Sequence, residues 1–315
     1  MSRCLQTIVV ACFSLTAAAR LRAQSLHVAD SLVQRGSLEQ AESIYYAAVR
    51  GHPRDPQARL ALGRYLAARG ATRVGVTLVE EAVQFGLRRD VAAPILAPLY
   101  GELEQYTDLL ALPASTLSTA ERDRARWLAA HPSRTIANDS TVLMSYAPRA
   151  GESALGTATL RVNGRPVTMT IRSSGNGISI SENIATAAKV HRFPAKAPKS
   201  IVATVDSIGL SRVVMTNVPV TVESQPAGVD GTVSLEFLAR FAPTFDPATS
   251  RVMLRIGGVT PRFAGGNHFP LMNSGGDLAI VQAGGWAPLR LPQMMAMLRD
   301  RRWTLDLRHG QLVVE

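Results

Sequence analysis

The periodicity of the sequence changes once along its length. From Val28 to about Leu112 apolar residues recur three and four apart with few β-branched runs, the spacing of helix faces. From about Thr141 onward, short runs of alternating apolar and polar residues are broken by glycine, asparagine and serine, as in strands and turns. Residues 141–144, 158–162 and 167–171 read as strands. Asn163-Gly164 between the last two is a hairpin signal, because both residues tolerate positive φ. Gly175-Asn176-Gly177 predicts a sharp turn and residues 178–180 a short strand. Ser181-Glu182 caps a helix through Ala188. The fold class expected is α+β and multidomain, with helical hairpins followed by an all-β part.

The helical half carries an internal repeat. Gly36, Ala41, Tyr45, Ala48 and Pro53 occupy the small, small, large, small and proline positions of a helix-turn-helix unit. Leu62 and Gly63 follow Val28 and Ala29 at a period of 34 residues; Gly70 answers Gly36 and Ala82 answers Ala48. Small residues let the helices of one unit approach, and the large one fills the gap between units. The arrangement resembles tetratricopeptide repeats. A third copy from Asp90 keeps Leu96, Ala97 and Tyr100 but departs at Gln105 and Leu110, as a terminal unit does. The resemblance implies a concave docking surface or a structural spacer over residues 24–112. Residues 113–150 read as a connector, with a capping box at Ser118-Thr119-Ala120-Glu121, a helix ending at His131-Pro132, and a turn at Asn138-Asp139-Ser140.

Over residues 155–255, within a lobe bounded at 151–256, the order of signals resembles the retropepsin-type, or retroviral-like, aspartic protease family of bacterial exported proteins. Val162-Asn163-Gly164-Arg165-Pro166-Val167 matches the approach to that family's Asp-Thr/Ser-Gly turn. Gly231-Thr232-Val233-Ser234-Leu235-Glu236-Phe237-Leu238 matches its later turn and short helix, with Ser234 in place of a glycine. Residues 241–246 and 252–254 match the closing strands, and residues 201–222 the hairpins that would carry a flap. The resemblance implies water activation by two carboxylates about 3 Å apart that share one proton. This sequence departs from that pattern. Without gaps the motif falls on Arg172-Ser173-Ser174; with a one-residue bulge it falls on Ser173-Ser174-Gly175. Neither holds an acid, and a guanidinium is no general base.

The C-terminal stretch repeats part of this lobe. Thr304-Leu305-Asp306 and residues 312–314 echo Thr244-Phe245-Asp246 and residues 252–254, and residues 291–298 echo the helix at 233–238. Leu271-Met272-Asn273-Ser274-Gly275-Gly276 then reads as the second motif turn, with Asn273, which cannot ionise, replacing aspartate. Residues 257–315 are therefore expected to form a reduced second lobe facing the first. Asp246 and Asp306 read as architectural, and Asp277 as a turn or cap residue. The expectation is a protein with no catalytic dyad. Its cleft, lined by Arg172, Ser174, Gly175, Asn273 and Asp277, would hold an extended peptide by strand addition. Arg172 would pair with an acidic side chain or with the terminal carboxylate of a peptide. Two other readings stand beside it: an active aspartic-type endopeptidase with an unrecognised carboxylate pair, and an envelope scaffold that docks partners through its helical repeats.

The N-terminus reads as an export signal over residues 1–23, with Ser2-Arg3, an apolar run from Ile8 to Ala19 and a cleavage site after Ala23. Val9-Val10-Ala11-Cys12 resembles a lipobox, so a lipid anchor at Cys12 is an alternative, as is a retained leader. A periplasmic or extracellular location is expected. Cys4 and Cys12 are the only cysteines, which leaves the exported part without disulfides, thiol nucleophiles or cysteine-ligated metal. No later apolar run approaches the ~18–20 residues that span a bilayer, so no integral membrane domain is expected after the leader. At 315 residues, 46% hydrophobic and 18% charged, the protein has material for two modest cores and too little charge to be a disordered polymer.

The formal charge of +10 favours anionic partners such as acidic peptides. Nucleic acid is not expected, because the arginines are dispersed and aromatics make up 5%. His27, His52, His131, His191, His268 and His309 are not at metal-ligand spacing. Gly151-Glu152-Ser153-Ala154-Leu155 lacks the second glycine of a nucleophile elbow, and Gly265-Gly266 and Gly284-Gly285 lack the lysine of a phosphate loop. No cofactor is expected.

Overall fold

The computed structural model describes residues 24–148, 155–173, 175, 177–194, 200–258, 265–274, 277–282, 285–288, 298 and 300–315. The leader, Ser174, Gly275 and most of the helix expected at 291–298 lie outside them.

The helical half comprises α1 (24–34), α2 (Leu38–Gly51), α3 (Pro56–Ala68), α4 (Thr72–Gln84), α5 (Arg89–Glu102) and α6 (Tyr106–Ala111), followed by α7 (Thr119–Ala130). They pair as hairpins whose turns repeat the same hydrogen bonds. Ser37 N donates to Leu32 O at 2.9 Å, Ala71 N to Leu66 O at 2.9 Å and Gln105 N to Tyr100 O at 2.8 Å. The residue before each donor is left-handed: Gly36 at φ +80°, Gly70 at +88°, and Glu104 at +58°. The 34-residue period therefore extends to the third hairpin, where Glu104 bears a conformation glycine adopts freely. Within the second hairpin the helices nearly touch, since a Cβ on Gly75 would lie 2.7 Å from Gly63 O. Asp55 caps α3 by accepting from Gln57 N and Ala58 N, and the capping box of α7 forms between Ser118 and Glu121.

Sixteen strands follow among the described residues: β1 (Arg134–Ile136), β2 (Thr141–Pro148), β3 (Gly156–Val162), β4 (Arg165–Arg172), β5 (Ile178–Ile180), β6 (His191–Arg192), β7 (Ile201–Leu210), β8 (Val213–Val222), β9 (Gly231–Ser234), β10 (Thr244–Asp246), β11 (Arg251–Arg255), β12 (Asn267–Ser274), β13 (Asp277–Gln282), β14 (Gly285–Pro288), β15 (Trp303–Asp306) and β16 (Gln311–Val314). Helix α8 (Glu182–Ala187) follows β5, and α9 (Leu235–Ala239) follows β9. Strands β3-β4-β9-β5-β8-β7 run side by side, and β7 returns to β3 through Arg161↔Gly209 and Val162↔Ile208, closing a barrel. Asn163 secures the β3–β4 turn. Its side chain donates to Ala188 O and accepts from Ser207 N, each at 2.9 Å.

The rest of the sheet reads the same from either end, β14-β13-β12-β16-β15 meeting β10-β11-β2-β3-β4. The halves join at β10–β15, where Thr244 faces Thr304 and their hydroxyls are 2.6 Å apart. Phe245 stacks on Trp303 beside this pair at 4.1 Å between ring centroids. The two echoed C-terminal segments thus pair with each other around a local two-fold axis, and both halves share one apolar core.

The strand expected at 141–144 is the start of β2, which pairs with β11 and β3, and β1 adds a further strand within residues 113–150 by pairing with β8. Two expectations change. The hairpin 201–222 is barrel wall; Leu210 and Val213 at its turn are fully buried, which a free flap would not allow. Asn273 and Ser274 lie at the β12–β13 hairpin, whose counterpart across the two-fold axis joins β2 to β3. The counterpart of Arg172, at the end of β4, is the end of β14. Any tight turn shares the Asn-Ser-Gly composition, so only strand pairing separates these positions.

Candidate functional site

The end of β4 is held by parallel pairing to β9, with Arg172 opposite Ser234. Ser234 N donates to Gly177 O at 2.9 Å, and its hydroxyl caps α9 by accepting from Phe237 N at 3.1 Å. This serine therefore starts the short helix from a buried position. Arg172 is exposed, Ser173 is buried, and Gly175 is an exposed left-handed residue at φ +92°. Asp277 pairs with Ser274 in the strand register. Asp306 is almost fully buried and accepts from His309 N, His309 Nδ1 and Gln311 Nε2, while Asp246 accepts from Thr249 N. Both carboxylates tie down the turns after their strands.

The larger feature is a cleft of about 1910 Å³ between the helices and the barrel. One wall is the inner face of α1, α3 and α5, including Asp30, Arg64 and Glu102; the other includes Ile178, Glu236, Arg240 and Asn273. Of the expected cleft residues, Asn273 lines it, whereas Arg172 and Gly175 are outside its lining. Its walls are fixed to each other. The Arg69 guanidinium donates to Leu271 O at 2.5 Å and Gly310 O at 2.9 Å, and Met272 and Val281 join the apolar cluster of α1–α3.

Two carboxylates with raised pKa values line opposite walls of the cleft. Glu236, in the first turn of α9, has its carboxyl pushed up to about 7 by burial and secondarily by the charge of Glu102; Arg240 and a hydrogen bond with Asn273 oppose this. Its Oε2 is sealed from solvent and has no hydrogen-bond partner among the described residues. Glu102, at the end of α5, is also raised, chiefly by the surrounding protein, against a 2.8 Å hydrogen bond from Thr72 and the charge of Arg240. Glu102 still faces the water of the open cleft, so its shift carries less weight than that of Glu236. Arg240 completes the group, 3.3 Å from Glu104 and with its guanidinium over the Phe237 ring at 4.7 Å. In sequence Glu236 reads only as an acid at a helix start and Glu102 as one at a helix end. Nothing local signals that they converge.

No family model and no curated protein matches the sequence. Solved structures do. A retropepsin-like aspartic protease from Rickettsia conorii matches at 12% identity over 39% of this chain and 91% of its own, with a TM-score of 0.28. Part of this chain resembles retropepsin-like folds. The retroviral protease-like domain of Ddi1 from Leishmania major matches at 13% identity over 32% of this chain and 80% of its own, with a TM-score of 0.22. Basic 7S globulin from soybean matches at 15% identity over 40% of this chain and 47% of its own, with a TM-score of 0.24. These likenesses concern the fold and carry no argument about activity. Among the described residues no helix is long and apolar enough to cross a membrane, and no group of acids, histidines and cysteines is arranged to hold a metal.

Proposed function

We propose that this is an exported, non-catalytic peptide-binding protein in which tetratricopeptide-like hairpins and a retropepsin-like lobe with a degenerate motif share one cleft. The observation that carries this reading is the cleft itself, about 1910 Å³, with helix faces on one side and barrel on the other. The placement of Arg172 and Ser173 at the end of β4, where the resemblance calls for an acid, supports binding without turnover. The test titrates labelled extended peptides onto the purified protein and follows their mass from about pH 3 to pH 8. Saturable binding of intact peptide, weakened by Ala61→Trp on the cleft wall, is expected. Failure of every peptide to bind overturns it.

A second reading is favoured by the carboxylates Glu102 and Glu236, which line the same cleft and both hold their protons above the ordinary carboxylate range. They suit a hydrolase using one group as acid and the other as base. Peptide cleavage lost in Glu236→Gln would replace the first reading with this one.

A further inference from the structure

An arginine anchor was expected at Arg172, which lies outside the lining of the cleft. Helix α7 supplies another. It turns one face to the cleft through Glu121, Arg124, Ala125 and Leu128, residues three and four apart. The three arginines of α7 differ in their partners. Arg122 donates to Leu110 O and Pro113 O, each at 3.3 Å, and Arg126 pairs with Asp123 at 2.6 Å. Arg124, the one of the three that lines the cleft, makes no hydrogen bond or ion pair among the described residues. Glu121, on the same face, is engaged in the capping box, where it accepts from Ser118 N at 2.8 Å.

The other arginines of the lining are differently placed. Arg64, Arg73 and Arg308 are exposed to water, and Arg240 pairs with Glu104. Arg124 is half-buried, beside the buried Ala125 and Leu128. A guanidinium withdrawn from water forfeits hydration, and it cannot shed its proton to recover the loss. Burial pushes its pKa down, against the opposing influence of Tyr106 on α6 and of Glu121. What restores the lost interactions is an anion that enters the cleft. The planar fork of donors fits a carboxylate with two parallel hydrogen bonds. Glu121 on the same face selects a single charge, because a dianion would meet one cation and one acid.

We propose that Arg124 is an anchor in the cleft for one carboxylate of an extended peptide, held by paired hydrogen bonds from its guanidinium. This gives the ligand chemistry of the peptide-binding reading and rests on it. The carboxylate belongs to an acidic side chain or to the peptide's C-terminus, and the guanidinium meets the same group in either case. Leu117 and Leu128, which line the cleft near the two ends of α7, make the flanking positions of the ligand apolar.

The test uses small carboxylates, so that it fails separately from the peptide-binding reading. Thermal unfolding of the full-length protein is followed at neutral pH and fixed ionic strength against three probes. N-acetyl-leucine carries a terminal carboxylate, N-acetyl-glutamate α-amide a side-chain carboxylate, and N-acetyl-leucine amide neither. A saturable rise in Tm is expected with a carboxylate probe and none with the amide; the carboxylate that acts at lower concentration identifies the source. Arg124→Gln and Arg124→Met should each weaken the apparent affinity about tenfold or more, the loss of hydrogen bonds from a charged donor. Arg126→Gln, on a side chain outside the lining, should leave it unchanged. No saturable rise with either carboxylate overturns the proposal, as does an equal rise with the neutral amide or an undiminished rise in both Arg124 variants. An Arg124-dependent rise alongside failure of every peptide to bind would keep the anchor and replace the peptide by small carboxylic acids.

Discussion

The turn between α3 and α4 offers a sharp test of how the helices are fixed to the sheet. Gly70 is left-handed at φ +88°, and a Cβ there would overlap the carbonyl of Leu307 in the β15–β16 turn. Gly70→Ala therefore has two costs. The first is conformational, about 1–2 kcal/mol for an L residue in this region. The protein contains its own control, because Glu104 occupies the equivalent place in the third hairpin at φ +58°. The second is steric and local to the interface. Neither backbone can yield alone: Arg69 holds Gly310 O and Leu271 O, and Leu271 N donates to that same Gly310 carbonyl at 2.7 Å. Separation would give up hydrogen bonds from a charged donor, about 1.5–3 kcal/mol. It would also expose Met272 and Val281, at about 1.5–3 kcal/mol for each side chain fully uncovered. The expected total is on the order of 5 kcal/mol, a large share of a typical folding free energy. Equilibrium urea unfolding, followed by far-ultraviolet circular dichroism, should show Gly70→Ala far less stable than Gly86→Ala, at a left-handed glycine whose turn has the same hydrogen bond, Leu87 N to Ala82 O, and where an added Cβ meets nothing within 4 Å. Glu104→Gly should gain about 1 kcal/mol. Equal losses in the two alanine variants would refute the account of the interface.

Three further outcomes follow from the fold. Asn163→Ala removes the side chain that bridges Ala188 O and Ser207 N and is expected to cost about 1–3 kcal/mol in the same unfolding assay. Trp303→Ala removes a buried ring stacked on Phe245 at the join of the two sheet halves, and should lower stability by about 3–5 kcal/mol. The pH dependence of stability has a definite sign. The Glu236 carboxyl holds its proton to about 7 when folded, against 4.5 when unfolded. Below about 4.5 both states are protonated and the group contributes nothing. Between the two values the folded state alone keeps the proton, so stability falls with rising pH, and above about 7 the loss levels off at roughly 3 kcal/mol. Glu236→Gln should flatten that slope in urea titrations from about pH 4 to pH 8; an unchanged slope would assign it to other groups.

What could be read from the sequence depended on whether a residue's local backbone needed its chemistry. Gly36 and Gly70 announced the first two hairpins because a left-handed turn favours glycine. Glu104 left the third legible only as a degraded copy from Asp90, although its turn is hydrogen-bonded in the same way. Asn163-Gly164 and the capping serines Ser118 and Ser181 formed what their chemistry dictates. The echo between Thr244-Phe245-Asp246 and Thr304-Leu305-Asp306 was legible, but its antiparallel pairing was not. Pairing joins segments with no local relation, and Asn273 was matched to Arg172 by composition when the register places them at unrelated turns. The strand β1 was hidden because all its residues are exposed, so no alternation marks it. Glu102 and Glu236 share a cleft only after helices and barrel have docked.

The two-fold arrangement of the sheet explains why the helices belong to the site. On one side of the β10–β15 join, β4 continues through β9, β5, β8 and β7 into a closed barrel. On the other, the sheet reaches β14 and goes no further among the described residues. The described part of that half offers less wall to a cleft than the closed barrel does. The inner faces of α1, α3 and α5 take that place, opposite Ile178 and α9. Their attachment is part of the core, since Met272 and Val281 pack among Leu62, Tyr65 and Leu66. Helices and sheet are thus mutually required. Without the helices two large apolar side chains of β12 and β13 lose their cover, and without the short second half the helices lose the surface that aims them at the barrel.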